Sequence, residues 1–278
     1  IMDTTAEEES ADNYEIPVHK RGREIHETVL VVEDNPEMLS FITDRLQKFF
    51  RIEKTTSGKE ALKILAEKSI DIIVSDVMMP DMDGFELCRQ LKMNIEYSHI
   101  PIVLLTAKND LASKIKGLEM GAEVYIEKPF SSNYLITQLT SLLNNRKRER
   151  EAYLQKPFIP VQHMVMNTSD EKFMNQVIQL IQENISDASF NVEKLADLIG
   201  MSRSSLHRKI KGLLELPPND FIRLIRLKKA AEIIQKDGFR TGEVCYMVGI
   251  NSPSYFIKLF QKQFGMTPKD FEKQHRRE

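Results

Sequence analysis

At 278 residues, 41% hydrophobic and 29% charged, the chain is too long for one ordinary core and suits two globular domains of about 100–200 residues each. No apolar run approaches the roughly 18 residues of a membrane helix, and Cys88 and Cys245 stand far apart with no metal-ligand spacing around them, which argues against a disulfide framework or structural zinc and for reduced thiols in a cytoplasmic protein. Net charge is −2, yet residues 170–278 carry 18 basic against 14 acidic side chains and form the only basic segment, a first pointer to nucleic acid at that end.

The chain opens on Ile1 rather than Met, as a piece of a longer polypeptide would, and residues 1–26, acidic and non-periodic, read as a linker. Over residues 27–148 short β-branched runs at Val29–Val32, Ile72–Val74, Ile102–Leu105 and Val124–Ile126, with a weaker one at Arg51–Thr55, alternate with helix-period stretches. Those stretches carry Leu39 and Ile42, Ala61 and Leu65, Leu87 and Leu91, Ile115 and Leu118, and Leu135 and Leu139. Nearly continuous apolar strands suit burial on both faces, so five alternations predict an α/β doubly wound, five-stranded parallel sheet. From Asn145 the chain becomes rich in Arg, Lys and Glu and then reaches Lys156-Pro157-Phe158-Ile159-Pro160, which reads as a helix running out into an interdomain linker over residues 149–169. Beyond Asp170 no strand-like run survives, and residues 170–278 read as an all-α domain.

In an open parallel sheet, ligands gather at the carboxyl ends of the strands. Glu33 and Asp34 close the first strand, Asp76 the third, Thr106 the fourth and Lys128 the fifth, so strand polarity alone brings five polar groups to one rim. Three carboxylates there would repel unless a cation sat among them, and an all-oxygen set favours a hard ion such as Mg²⁺. An Asp nucleophile beside Mg²⁺, a lysine and a hydroxyl is an arrangement for phosphoryl transfer.

The segments Glu33-Asp34-Asn35, Ser75-Asp76-Val77-Met78-Met79-Pro80-Asp81-Met82-Asp83-Gly84, Leu105-Thr106-Ala107-Lys108 and Lys128-Pro129-Phe130 resemble the motif set of two-component receiver domains, which have a flavodoxin-like fold. The resemblance implies that Asp76 accepts phosphate from a histidine kinase, and that Glu33, Asp34, Asp76 and the Met78 backbone carbonyl hold Mg²⁺. It further implies that Thr106 and Lys128 engage the phosphoryl oxygens and that Tyr125 is the aromatic switch. A haloacid-dehalogenase-like phosphatase would also use Asp, Thr and Lys, but it needs a second Asp two residues after the nucleophile, where this chain has Met78.

The helical half repeats one grammar. Val192–Ile199, a turn at Gly200-Met201-Ser202 and Arg203–Leu213 form one helix–turn–helix; Glu243–Val248, a turn at Gly249-Ile250-Asn251-Ser252 and Pro253–Phe264 form another. Small residues Ala196 and Cys245 precede the turn glycines by four positions, Ser202 and Ser252 are placed as N-caps, and Leu206/Ile210 and Phe256/Phe260 are i,i+4 core pairs. A helix over roughly Asp220–Gln235 separates the two units.

Phe221–Ala230, Val248–Phe256 and Phe260–Pro268 resemble the DNA-binding domain of the AraC family, with two departures: Glu215 stands where that family usually has glycine, and Ile250 where it has Phe. The resemblance implies a double helix-turn-helix whose second helices enter successive major grooves about 34 Å apart. Ser204, His207 and Arg208 on the first recognition helix, and Ser254, Ile257 and Lys258 on the second, would face bases, with Arg208 suited to guanine. Arg203, Lys211, Gln261 and Lys262 would contact phosphates.

A receiver joined to an AraC-type domain, with Ser98-His99-Ile100-Pro101 before the fourth strand and an acidic lead-in, resembles the C-terminal part of hybrid two-component regulators that control polysaccharide-utilisation genes in gut bacteria. That implies a histidine kinase in the same membrane-anchored polypeptide, with a stand-alone cytoplasmic response regulator as the alternative. Expected partners are promoter DNA, RNA polymerase and, when phosphorylated, a second copy of the chain. The dimer face would comprise the helix of Ile115 and Leu118, the strand of Tyr125 and the helix of Leu135.

Overall fold

The structure, a computed structural model, describes residues 27–107, 120–155, 167–236 and 240–275. The acidic lead-in, Lys108, the expected helix of Ile115 and Leu118, and Lys156–Pro160 lie outside the described residues. The chain divides into two units, residues 1–145 and 146–278.

In the first unit five strands, β1 (Thr28–Val32), β2 (Arg51–Thr55), β3 (Ile72–Asp76), β4 (Ile102–Ala107) and β5 (Val124–Lys128), pair in parallel in the order β2-β1-β3-β4-β5. Val29–Val32, Ile72–Val74 and Ile102–Leu105 are buried throughout, as apolar strands covered on both faces must be. Helices α1 (Pro36–Leu46), α2 (Gly58–Glu67), α3 (Gly84–Met93) and α4 (Ser132–Gln155) complete the described unit. One apolar cluster joins Leu30, Ile73 and Leu104 to residues of α2 and α3; the other joins Val31, Val74 and Leu105 to residues of α1 and α4.

The connections are fixed by side-chain caps. Asn35 Oδ1 accepts from Glu37 N and Met38 N at 2.9 and 3.1 Å, with Pro36 opening α1. Asp83 Oδ1 accepts from Glu86 N at 2.7 Å to start α3. At the amino end of the sheet Lys92 Nζ donates to Glu123 Oε1 (2.8 Å) and Ile100 O (2.9 Å), while Glu123 Oε2 accepts from Ile102 N (2.7 Å). This mostly buried pair ties β4 to β5 at the end opposite the rim of carboxylates.

The second unit is helical: α5 (Thr168–Glu183), α6 (Val192–Ile199), α7 (Arg203–Leu214), α8 (Pro218–Gln235), α9 (Thr241–Met247), α10 (Pro253–Phe264) and α11 (Pro268–His275). The last ten residues of α4 belong to it as well. The helix expected to run out into the linker continues to Gln155, so it occupies residues 149–155 of that segment.

Both helix–turn–helix turns pass through a left-handed glycine, Gly200 (φ 74°) and Gly249 (φ 69°). Only the second is crowded: a Cβ on Gly249 would lie 2.6 Å from Ile185 O, while one on Gly200 meets nothing within 4 Å. Ser202 Oγ accepts from Ser205 N (3.1 Å) and Ser252 Oγ from Tyr255 N (3.4 Å), starting α7 and α10. Leu206, Ile210, Phe256 and Phe260 are all fully buried.

Among the described residues, three buried cations hold these helices together. Lys209 on α7 is 0% exposed and paired with Asp170 on α5. Arg226 on α8 donates from Nη1 to Gly249 O (3.0 Å) and from Nη2 to Asp187 O (2.6 Å), linking the second turn to the loop ahead of α6. Lys228 donates to Tyr153 O at 2.8 Å. The two recognition-type helices end alike in the left-handed region, but α10 is capped by Gly265 (φ 76°) and α7 by Glu215 (φ 55°). A non-glycine residue there costs roughly 1 kcal/mol.

Candidate functional site

The rim at the carboxyl ends of β1, β3 and β5 brings Glu33, Asp34, Asp76 and Lys128 together. Carboxylate oxygens of Glu33, Asp34 and Asp76 all lie within 4.8 Å of one another. Lys128 Nζ stands 2.8 Å from Glu33 Oε2 and 3.0 Å from Asp76 Oδ2. Glu33 is 2% and Asp76 7% exposed; Asp34 is the most open of the three. Parallel register explains the convergence: Val32 pairs with Ser75 and Asp76 with Leu105, so strand ends that are distant in sequence finish level.

The electrostatics follow from three carboxylates sharing one ammonium. Burial, above all, pushes the Glu33 carboxyl above its ordinary range; the Lys128 hydrogen bond opposes this and the Asp76 charge adds to it. For Lys128, burial disfavours the charge, but Glu33 and Asp76 outweigh it and raise the pKa. With Asp34 included, the cluster keeps a surplus of two negative charges after Lys128 is counted. A divalent, oxygen-seeking cation fits that donor set and that surplus.

Backbone packing leaves this site little freedom. Gly84, the first residue of α3, sits against the phosphoacceptor candidate: a Cβ there would lie 2.2 Å from Asp76 O. Ser75 Oγ donates to Asp76 O at 2.9 Å. Thr106 is 6% exposed at the end of β4, its Oγ1 donating to Ala107 O at 3.3 Å. Tyr125 is half-buried on β5, its ring stacked on Phe85 with centroids 6.2 Å apart. Met78, two residues beyond Asp76, is 73% exposed.

The residues expected to meet DNA are surface residues of α7 and α10, with one exception. Arg203, Ser204, His207 and Lys211 are exposed on α7, and Arg203 Nη1 pairs with Glu193 Oε1 at 2.8 Å. Arg208 lies further in, half-buried with its Nε out of solvent. On α10, Ser254, Ile257, Lys258, Gln261 and Lys262 are exposed together with Tyr255, which the sequence reading passed over. Its place one residue before buried Phe256 was the available signal. Lys209, between His207 and Ile210, belongs to the core instead, which helical period alone could not tell.

Cys88 and Cys245 are free and buried; burial pushes the Cys88 thiol up to about 11, so neither reads as a reactive group. Among the described residues no helix is long and apolar enough to cross a membrane.

Residues 29–140 match the response regulator receiver domain family and residues 195–274 the helix-turn-helix domain family. "Histidine kinase P4" of Formosa agariphila is 36% identical over 248 residues, which are 89% of this chain and 18% of that protein. "Hybrid signal transduction histidine kinase D" of Dictyostelium discoideum is 38% identical over 149 residues, 54% of this chain and 9% of that protein. "Transcriptional regulatory protein GltR" of Pseudomonas aeruginosa is 34% identical over 117 residues, 42% of this chain and 48% of that protein. The chain thus spans less than half the length of each of these relatives. The solved receiver domain of a signal transduction histidine kinase from Syntrophus aciditrophicus shares 35% identity, covering 44% of this chain and 94% of its own at a TM-score of 0.42.

Proposed function

We propose, for a chain that joins a response regulator receiver domain to an AraC-type helix-turn-helix domain and so belongs among response-regulator transcription factors, that phosphorylation of Asp76 governs its grip on promoter DNA. An Asp76 carboxylate oxygen attacks the phosphorus of a phosphohistidine; a P–O bond forms, the P–N bond breaks, and the imidazole leaves with the electron pair and takes up a proton. The observation that carries this reading is the Lys128 ammonium held within 3.0 Å of Asp76 and 2.8 Å of Glu33 at a rim of three carboxylates. Lys128 would neutralise phosphoryl oxygens as they arrive, and Thr106 would donate its hydroxyl to one of them. Glu33, Asp34, Asp76 and the Met78 carbonyl would hold Mg²⁺, which supplies charge neutralisation for the transferring group. Exposed Met78 offers no acid or base for hydrolysis, which supports a lasting signal in place of turnover.

Thr106 and Tyr125 would follow the phosphate inward, and the altered face would bring two chains together on repeated half-sites. Arg203, Ser204, His207, Arg208, Lys211, Ser254, Ile257, Lys258, Gln261 and Lys262 are the proposed DNA contacts. The 36% identity to a histidine kinase, of which this chain spans 18%, supports a phosphodonor within the same polypeptide. Activation of polysaccharide-utilisation genes through RNA polymerase is the proposed output.

Phosphotransfer from a labelled phosphohistidine donor, with and without EDTA, tests the core of this reading. Wild type should take up label only with Mg²⁺, reach twice its mass in sedimentation, and bind promoter DNA more tightly. Asp76→Asn should do none of these; equal labelling of that variant would overturn the proposal.

A further inference from the structure

Residues 150–155 fall between the two matched families, yet they belong to the helical unit and send one side chain, Tyr153, into its core. Tyr153 is 2% exposed and lies in the same apolar cluster as Phe173, Leu206 and Leu214 of the first helix–turn–helix and its flanking helix. Lys228 of α8 donates to Tyr153 O at 2.8 Å and holds its ammonium 3.9 Å from the centre of the Tyr153 ring. One residue on, Leu154 O accepts from Gln263 Nε2 at 2.7 Å, and Gln263 lies on α10, the second recognition helix. Arg150 pairs with Glu215, the residue that caps the first recognition helix in a conformation that favours glycine.

This short segment therefore touches the end of α7, the middle of α8 and the end of α10. We propose that residues 150–155 are a positioning strap that sets the second recognition helix against the first, so that both reach adjacent grooves of one DNA. The strap explains an otherwise costly residue: Glu215 accepts left-handed strain where Gly265 serves the equivalent cap without it, and the carboxylate so placed is what Arg150 grips. Arg226, which joins the second turn to the loop before α6, fixes the same relation from the opposite end of the bond network.

The proposal rests on the DNA-binding reading above, and its test separates the two. Duplexes selected from a random pool by the wild-type full chain would be compared with the same duplexes after one half-site is scrambled. Tyr153→Ala should weaken two-site binding by about 10–100-fold while changing one-site binding by no more than about threefold, since linked engagement supplies avidity that one site lacks. Glu215→Gly, which relieves strain and should not unfold, should also weaken two-site binding alone. Equal loss on both duplexes, or wild-type two-site binding by both variants, would overturn the strap. Hydrogen exchange without DNA gives a second readout: amides of residues 257–264 should exchange faster in both variants, and unchanged exchange counts against the proposal even if no duplex is selected. Failure of the wild type to select any duplex strikes the DNA-binding reading instead.

Discussion

Both units bury charge, and they bury it to different ends. In the sheet unit Glu33 and Asp76 are 2% and 7% exposed beside one ammonium, with a third carboxylate close by and like charges left over. In the helical unit Lys209 is 0% exposed and Asp170 2%, and the two are paired with each other. The residues expected to touch DNA lie mostly outside that core. A surplus of buried carboxylates at an open rim suits a cationic ligand; a buried cation answered by a carboxylate, as at Lys209, or by backbone carbonyls, as at Arg226 and Lys228, is scaffold. Lys92 with Glu123 shows the scaffold kind within the sheet unit too, at the end of the strands away from the rim.

The largest expected effect separates these two kinds. Lys209→Met removes the ammonium paired with the buried Asp170 carboxylate and should cost about 3–5 kcal/mol, read by urea unfolding of the helical signal in far-UV circular dichroism. Asp76→Asn removes one of several crowded carboxylates and should leave the sheet unit as stable as wild type or more so. If both variants destabilise equally, matched and mismatched charge do not differ here.

Next come the two turns. Gly249→Ala combines a left-handed φ with a clash against Ile185 O and should cost about 2–3 kcal/mol, while Gly200→Ala carries the φ strain alone, about 1 kcal/mol. Equal thermal shifts would show that the close approach at Gly249 contributes nothing.

The smallest effect is on pH. Burial, partly countered by Glu232, lowers the Lys228 pKa from 10.5 to about 8. Between those values the folded chain has shed a proton that the unfolded chain keeps, so stability should rise with pH across that window and be lost again as pH falls through 8. Lys228→Met should flatten that slope; an unchanged slope would assign it to other groups.

Much of the sheet unit could be read from the chain because strand polarity does the work. Glu33 and Lys128 are 95 residues apart, but each ends a parallel strand, so their meeting follows from the fold class. The turn glycines and the buried pairs Leu206/Ile210 and Phe256/Phe260 were legible for a similar reason, since local spacing fixes them. Lys209 with Asp170, Arg226 with Asp187 O and Gly249 O, and Tyr153 under Lys228 were not. Helical period says which face of a helix is apolar, not which distant helix meets it, and a cation on a helix reads as solvated until its partner is known. Arg208 was set on the outer face by period and sits half-buried. The charged run from Arg146 hid Tyr153 for the same reason.

Because the last ten residues of α4 fold with the helical unit, the practical seam in this chain lies ahead of Arg146. A chimaera built by joining a foreign sensor at residue 167 would strip Tyr153 from the hydrophobic cluster and leave the Lys228 ammonium facing a hole. One joined before residue 146 would carry the whole reading head with it.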